Sequence, residues 1–143
     1  MSFNVLIVDD SSAMRAVIKK IVTISGFQMD QCLQAANGRE AMEVLADNWV
    51  DVIISDINMP EVNGLELLDL LKKNETLKEI PVIMITTEGS SERMQEAFNR
   101  GAKGFIKQPF LPDDIRKVLH QVIGVSENGE YKEDTRTTDE CDF

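Results

Sequence analysis

The stretch that decides the fold is "VLIVDD", Val5 to Asp10, where four aliphatic residues run directly into two adjacent carboxylates. An apolar run without alternation suits a strand covered on both faces, as in the middle of a parallel sheet. The two charges then mark that strand's carboxyl end. Comparable runs recur at "VIIS" (52–55), "VIMIT" (82–86) and the shorter "FI" (105–106). The stretch "QMDQCL" at 28–33 is more polar and suits an edge position.

Helical spacing fills the intervals. In 12–25 the apolar set Met14, Val17, Ile18, Ile21 and Val22 recurs every three or four residues, with Ser11 or Ser12 available as cap and Gly26 as stop. Similar patterns occupy 38–47, 64–72 (Leu65, Leu68, Leu71) and 111–123 (Ile115, Val118, Leu119, Val122). Residues 90–100 are more polar but place Met94, Ala97 and Phe98 on one side. Five strand–helix alternations predict an α/β fold. The expected form is a doubly wound, five-stranded parallel sheet of flavodoxin-like type, order 2-1-3-4-5, with helices on both faces.

The chain has 143 residues, enough for one domain with a substantial core. Its net charge of −10 argues against a nucleic-acid partner, because phosphate-backbone binding needs a basic face. Cys32 and Cys141 show neither disulfide-framework nor metal-site spacing, which suits a reducing compartment. With no secretory leader pattern and no apolar run of membrane length, the expectation is a cytoplasmic protein without a membrane partner. A domain over residues 1–125 is expected, with an acidic, disordered tail at 126–143. That segment, "SENGEYKEDTRTTDECDF", carries seven acidic and two basic residues.

Parallel strands gather their carboxyl ends in one crevice. Asp9 and Asp10 end the first strand, Asp56 the third, Thr86 the fourth, and Lys107 and Gln108 the fifth. Three carboxylates at one place repel unless a cation joins them, and an all-oxygen site suits Mg²⁺. A carboxylate beside Mg²⁺ and a hydroxyl donor is equipped to attack a phosphoryl group, which makes this an expected aspartyl-phosphate site. Asp after a strand is otherwise an ordinary turn or cap residue; it is the shared crevice that favours chemistry. Trp49 is expected to pack a helix end, and His120 is assigned no chemistry.

The motifs "IVDDSS", "NGREA", "DINMPEVNGLELL", "IPVIMITT" and "GAKGFIKQPF" occur in this order. Through them the chain, over roughly residues 3–124, resembles the receiver domains of two-component response regulators, specifically the single-domain, chemotaxis-type (CheY-like) members. The resemblance implies Asp56 as phosphoacceptor and Mg²⁺ held by Asp10 directly, Asp9 through water, Asp56, and Asn58 through its carbonyl. It implies Thr86 as the switch hydroxyl and Phe105 as the switch aromatic. A histidine kinase would be the phosphoryl donor, and a protein target would read the face of the fourth helix, fifth strand and fifth helix. The protein would be a switch that assists its own phosphorylation and dephosphorylation rather than a classical enzyme. Asn58 and Glu88 fall where the family tunes dephosphorylation.

One position departs from the family. The lysine expected before the proline of the fifth strand is Gln108 here, with Lys107 one place earlier. Since "GF" to "PF" needs no insertion, alternation puts Gln108 in the lysine's place and turns Lys107 away. A bulge, or a Lys107 stem bent around the strand end, remains the alternative. A neutral hydrogen bond contributes about 1 kcal/mol where a charge-assisted one contributes about 1.5–3. Two other functions stay open: a receiver-like binding module that works without phosphorylation, and a phosphohydrolase with an aspartyl nucleophile. The segment after Gly124 is too short and acidic for a DNA-binding output domain, so output is expected through protein binding.

Overall fold

The computed structural model describes residues 2–87 and 90–124. The strands are β1 (Phe3–Val8), β2 (Met29–Ala35), β3 (Val52–Asp56), β4 (Val82–Thr86) and β5 (Gly104–Lys107). The helices are α1 (Ser12–Ile24), α2 (Gly38–Asp47), α3 (Gly64–Lys72), α4 (Ser91–Asn99) and α5 (Pro112–Leu119). All strands pair in parallel in the order β2-β1-β3-β4-β5. This is the expected doubly wound sheet, and the polar β2 takes an edge.

Burial follows the apolar runs. In β1, Val5 to Val8 are fully covered, and all of β4 is buried, as strands sandwiched between helices require. Alternate side chains feed two cores. Leu6, Ile53 and Met84 pack with Leu45, Leu68 and Ala97 of α2, α3 and α4. Val5, Ile54, Ile85 and Ile106 pack with Ile18 and Val22 of α1 and Ile115 and Leu119 of α5.

Local chemistry starts and stops the helices near the expected places. Ser11 caps α1, its Oγ accepting from the Met14 N–H at 3.1 Å, and Gly26 lies beyond its end at φ +87, a conformation glycine adopts without strain. Asn63 and Glu66 form a capping box at α3, each side chain accepting the other's backbone N–H at 2.9 Å. On α4 Ala97 is buried, while Met94 and Phe98 are 39% and 44% exposed. Two local expectations need correction. The last helix does not stay α-helical to residue 123, because His120–Gly124 forms a π-helical turn. Trp49 is 76% exposed instead of packing a helix end, because its indole N–H is drawn to Asp51 Oδ1 at 3.1 Å.

Among the described residues, no helix is long and apolar enough to cross a membrane. Cys32 is a free thiol. The expected tail, with Cys141 in it, lies outside the described residues, as does Glu88.

Candidate functional site: an acidic crevice at the strand ends

The register of the sheet builds the site. Val8 pairs with Ser55, so Asp9 falls level with Asp56, and Asp56 pairs with Ile85, so Thr86 stands one step further along β4. Asp9, Asp10 and Asp56 each offer an oxygen, and the three oxygens lie within 4.8 Å of one another. Neighbouring oxygens around an octahedral Mg²⁺ are about 3.0 Å apart and opposite ones about 4.2 Å, given metal–oxygen distances near 2.1 Å. The all-oxygen donor set suits such an ion, with Asp10 and Asp56 reaching it directly and Asp9 through a water.

The three carboxylates are placed unequally. Asp9 is buried, its Oδ1 accepting from the Ser11 N–H at 2.9 Å. Asp10 is exposed, and Asp56 is half-buried, its Oδ1 accepting from the Ile57 N–H at 2.8 Å. Burial, and then the neighbouring Asp9 charge, push the Asp56 carboxyl up from 3.8 to about 6, with Asp10 adding to the rise. The N–H groups of Ile57 and Asn58 oppose it. Burial likewise raises Asp9, the Ser11 N–H opposing. Folding has thus concentrated negative charge at the ends of β1 and β3, with Arg15 only partly offsetting it at Asp9.

Thr86 ends β4 almost wholly covered, and the Gln108 N–H donates to its carbonyl at 2.8 Å, tying the end of β5 to the crevice. Asn58 extends from the loop after Asp56, its side chain exposed. Phe105 is half-buried on the α4 side, its ring 6.5 Å from that of Phe98. Alternation along β5 gives Gln108 the side of Ile106, and along β3 gives Asp56 the side of Ile54; both neighbours belong to the core under α1 and α5. Lys107 is exposed and lines an open groove at the outer edge of β5 and α5, with Phe110, Lys117 and Gln121. The Gln108–Pro109 bond is cis.

Two contributors were not legible as site residues. Arg15, one turn into α1, donates to the Asp9 carbonyl at 2.6 Å and to Gln34 Oε1 at 2.9 Å, holding the end of β1 to β2. A basic residue one turn after a cap is a weak signal, because most such residues face water. Gly64 donates its N–H to the Ile57 carbonyl at 2.9 Å, and a Cβ there would meet the Asp56 carbonyl at 2.3 Å. The Asn63–Gly64 pair signals the helix start but not this approach.

The chain matches the response regulator receiver domain family over residues 5–120. It is 41% identical to the chemotaxis protein CheY1 of Helicobacter pylori over 125 residues, covering 87% of this chain and 99% of that protein. The CheY homolog of Campylobacter jejuni is 40% identical over 122 residues, covering 85% of this chain and 92% of that protein. Among solved structures, the chemotaxis response regulator CheY4 of Vibrio cholerae superposes with a TM-score of 0.75 at 36% identity, over 85% of this chain and 99% of that one. The chain belongs to the response regulator receiver domain family and, within it, to the CheY-like receivers of two-component signalling.

Proposed function

We propose that this receiver accepts a phosphoryl group on Asp56 from a histidine kinase and thereby changes its affinity for a protein target. The observation that carries the reading is the convergence of the Asp9, Asp10 and Asp56 oxygens at the strand ends, with the Thr86 backbone tied into the same crevice. Mg²⁺, held by Asp9, Asp10, Asp56 and the Asn58 carbonyl, would neutralise the carboxylates and the incoming phosphoryl oxygens. An Asp56 carboxylate oxygen attacks phosphorus while the bond from phosphorus to the kinase's imidazole nitrogen breaks, and the electron pair leaves with the imidazole. The Ile57 N–H holds the other Asp56 oxygen in place.

The Thr86 hydroxyl then donates to a phosphoryl oxygen, and Phe105 turns inward behind it. Its ring already lies against Phe98, so the movement would alter the face made by α4, β5 and α5, where the target is expected to bind. Asn58 and Glu88 would set the lifetime of the phosphoryl group. Gln108 donates a neutral hydrogen bond where the family has a charged lysine, so coupling between phosphoryl and switch is weaker than in the lysine-bearing members. The receiver is a switch, used once per signalling event in the cytoplasm, rather than a turnover enzyme.

Incubation with acetyl phosphate and Mg²⁺, read by intact mass, tests the transfer. A phosphoryl adduct is expected on the native chain and not on Asp56→Asn. An equal adduct on both, or none on the native chain, would overturn the reading. Gln108, standing where the family has a lysine, motivates one second reading, a binding module indifferent to phosphorylation. Under it, an Asp56→Ala chain would retain its partner in both the presence and the absence of phosphodonor.

A further inference from the structure

At the opposite end of the sheet from the acidic crevice, the chain entering β3 and the chain entering β4 enclose a cavity of about 460 Å³. Its apolar wall comes from Leu45, Val50, Leu77 and Ile80. Trp49 stands at the cavity, 76% exposed. Its indole N–H donates to Asp51 Oδ1 at 3.1 Å, and its backbone carbonyl accepts from Asn4 Nδ2 at 2.9 Å. The structure therefore places a large aromatic ring in water beside a hollow with an apolar wall.

The charges around this hollow have one sign. Asp47, Asp51 and Glu79 line it, and among the described residues no lysine or arginine does. Asp51 is already engaged, accepting from Trp49 and from the Asn4 N–H at 2.8 Å. Asp47 and Glu79 are exposed and pair with no cation among the described residues. Lys78, the nearest candidate in sequence, is held by Glu75 at 3.0 Å.

We infer that this cavity is a docking site for a partner protein whose apolar segment inserts a cationic side chain, arginine above all, against the face of Trp49 and between Asp47 and Glu79. Each part of the occupant answers one observation. The indole face attracts a cation through its quadrupole, and arginine is the commoner partner in such pairs. The two carboxylates add charge-assisted hydrogen bonds. The aliphatic wall accepts the arginine stem and a flanking apolar residue. An anionic occupant would be repelled by all three carboxylates, and a purely apolar one would bury Asp47 and Glu79 unpaired. Tryptophan and arginine are also the residues in which interface energy concentrates. The site opens at the amino ends of the strands, while Asp56 and Thr86 stand at the carboxyl ends, so docking here does not depend on the phosphoryl reading.

Trp49 is the chain's single tryptophan, so its fluorescence reports on this site alone. The full chain would be titrated with an N-acetylated, C-amidated Leu-Arg-Leu peptide and with its Leu-Glu-Leu counterpart, in chelator and again with Mg²⁺ and beryllofluoride. The arginine peptide is expected to shift Trp49 emission saturably with a Kd below about 1 mM, on the weak side of the affinity scale. The response should be the same in both buffers and weaken in about 0.5 M salt, which screens exposed charge. It should fall at least about fivefold in Asp47→Asn/Glu79→Gln, a change of about 1 kcal/mol. Calorimetry on Trp49→Leu, an exposed position that the fold does not need, should lose the heat of binding while circular dichroism stays unchanged. No saturable shift, an equal response to the glutamate peptide, or undiminished binding by the carboxamide variant would overturn the inference.

Discussion

Asp56 occupies a half-buried position beside two other carboxylates, so its charged form is disfavoured and its carboxyl titrates at about 6 instead of 3.8. That direction fixes the sign of the pH dependence. A group whose folded value is raised contributes its full stability below about 3.8 and loses it as pH rises through about 6. The whole displacement corresponds to at most about 3 kcal/mol, and solvent at this half-exposed group reduces that to about 1–2. In chelator, Asp56→Asn should therefore be more stable than the native chain by about 1–2 kcal/mol at neutral pH, with a Tm a few degrees higher. The difference should shrink as pH falls through about 6 and vanish well below 3.8, where the native carboxyl is protonated in both states. Urea unfolding of the two chains across this range checks it. Because the other carboxylates are common to both, the comparison isolates Asp56.

At the scale of elements, the loop between β3 and α3 sets the position of Asp56. Gly64 is its contact point, since a Cβ would meet the Asp56 carbonyl at 2.3 Å, Met84 Cε at 2.6 Å and Ile57 Cα at 2.9 Å. Two of these atoms are backbone and cannot yield cheaply. Gly64→Ala should cost about 2–3 kcal/mol by overpacking and weaken Mg²⁺ binding as well, measured by urea unfolding and by Mg²⁺ titration. Asn63→Ala removes one bond of the capping box and should cost about 1 kcal/mol while leaving the crevice assembled. The elements were largely readable beforehand because their signals are local. Unalternated runs mark β1, β3 and β4, and polarity marks β2 as an edge. The reading of Trp49 failed although its partner is local: the indole N–H reaches the Asp51 carboxylate two residues on, and the ring stays in solvent, which no periodicity rule signals.

For the whole molecule, folding brings negative groups from distant parts of an already acidic chain to one end of a sheet. The topology is recoverable from the sequence because strand–helix alternation leaves few right-handed arrangements, and every strand end then becomes a candidate for the same crevice. Asp9, Asp10 and Asp56 were expected together on that ground, and their oxygens lie within 4.8 Å of one another. Arg15 and the close approach of Gly64 depend on distances that no spacing rule supplies. A ligand bound only by the folded chain stabilises it by mass action, about 2.7 kcal/mol at a hundredfold excess over Kd. Mg²⁺ at that excess should raise the native Tm by several degrees, and Asp10→Asn should lose most of the rise, as differential scanning calorimetry would show.

The decisive measurement is a crystal structure of the chain with Mg²⁺ and beryllofluoride. The ion should appear between the Asp10 and Asp56 oxygens at about 2.1 Å, with the fluoride adduct on Asp56 and the Thr86 hydroxyl turned toward it. An ion bound elsewhere, or an adduct on a different carboxylate, would contradict the claim that this crevice is built to let Asp56 accept a phosphoryl group.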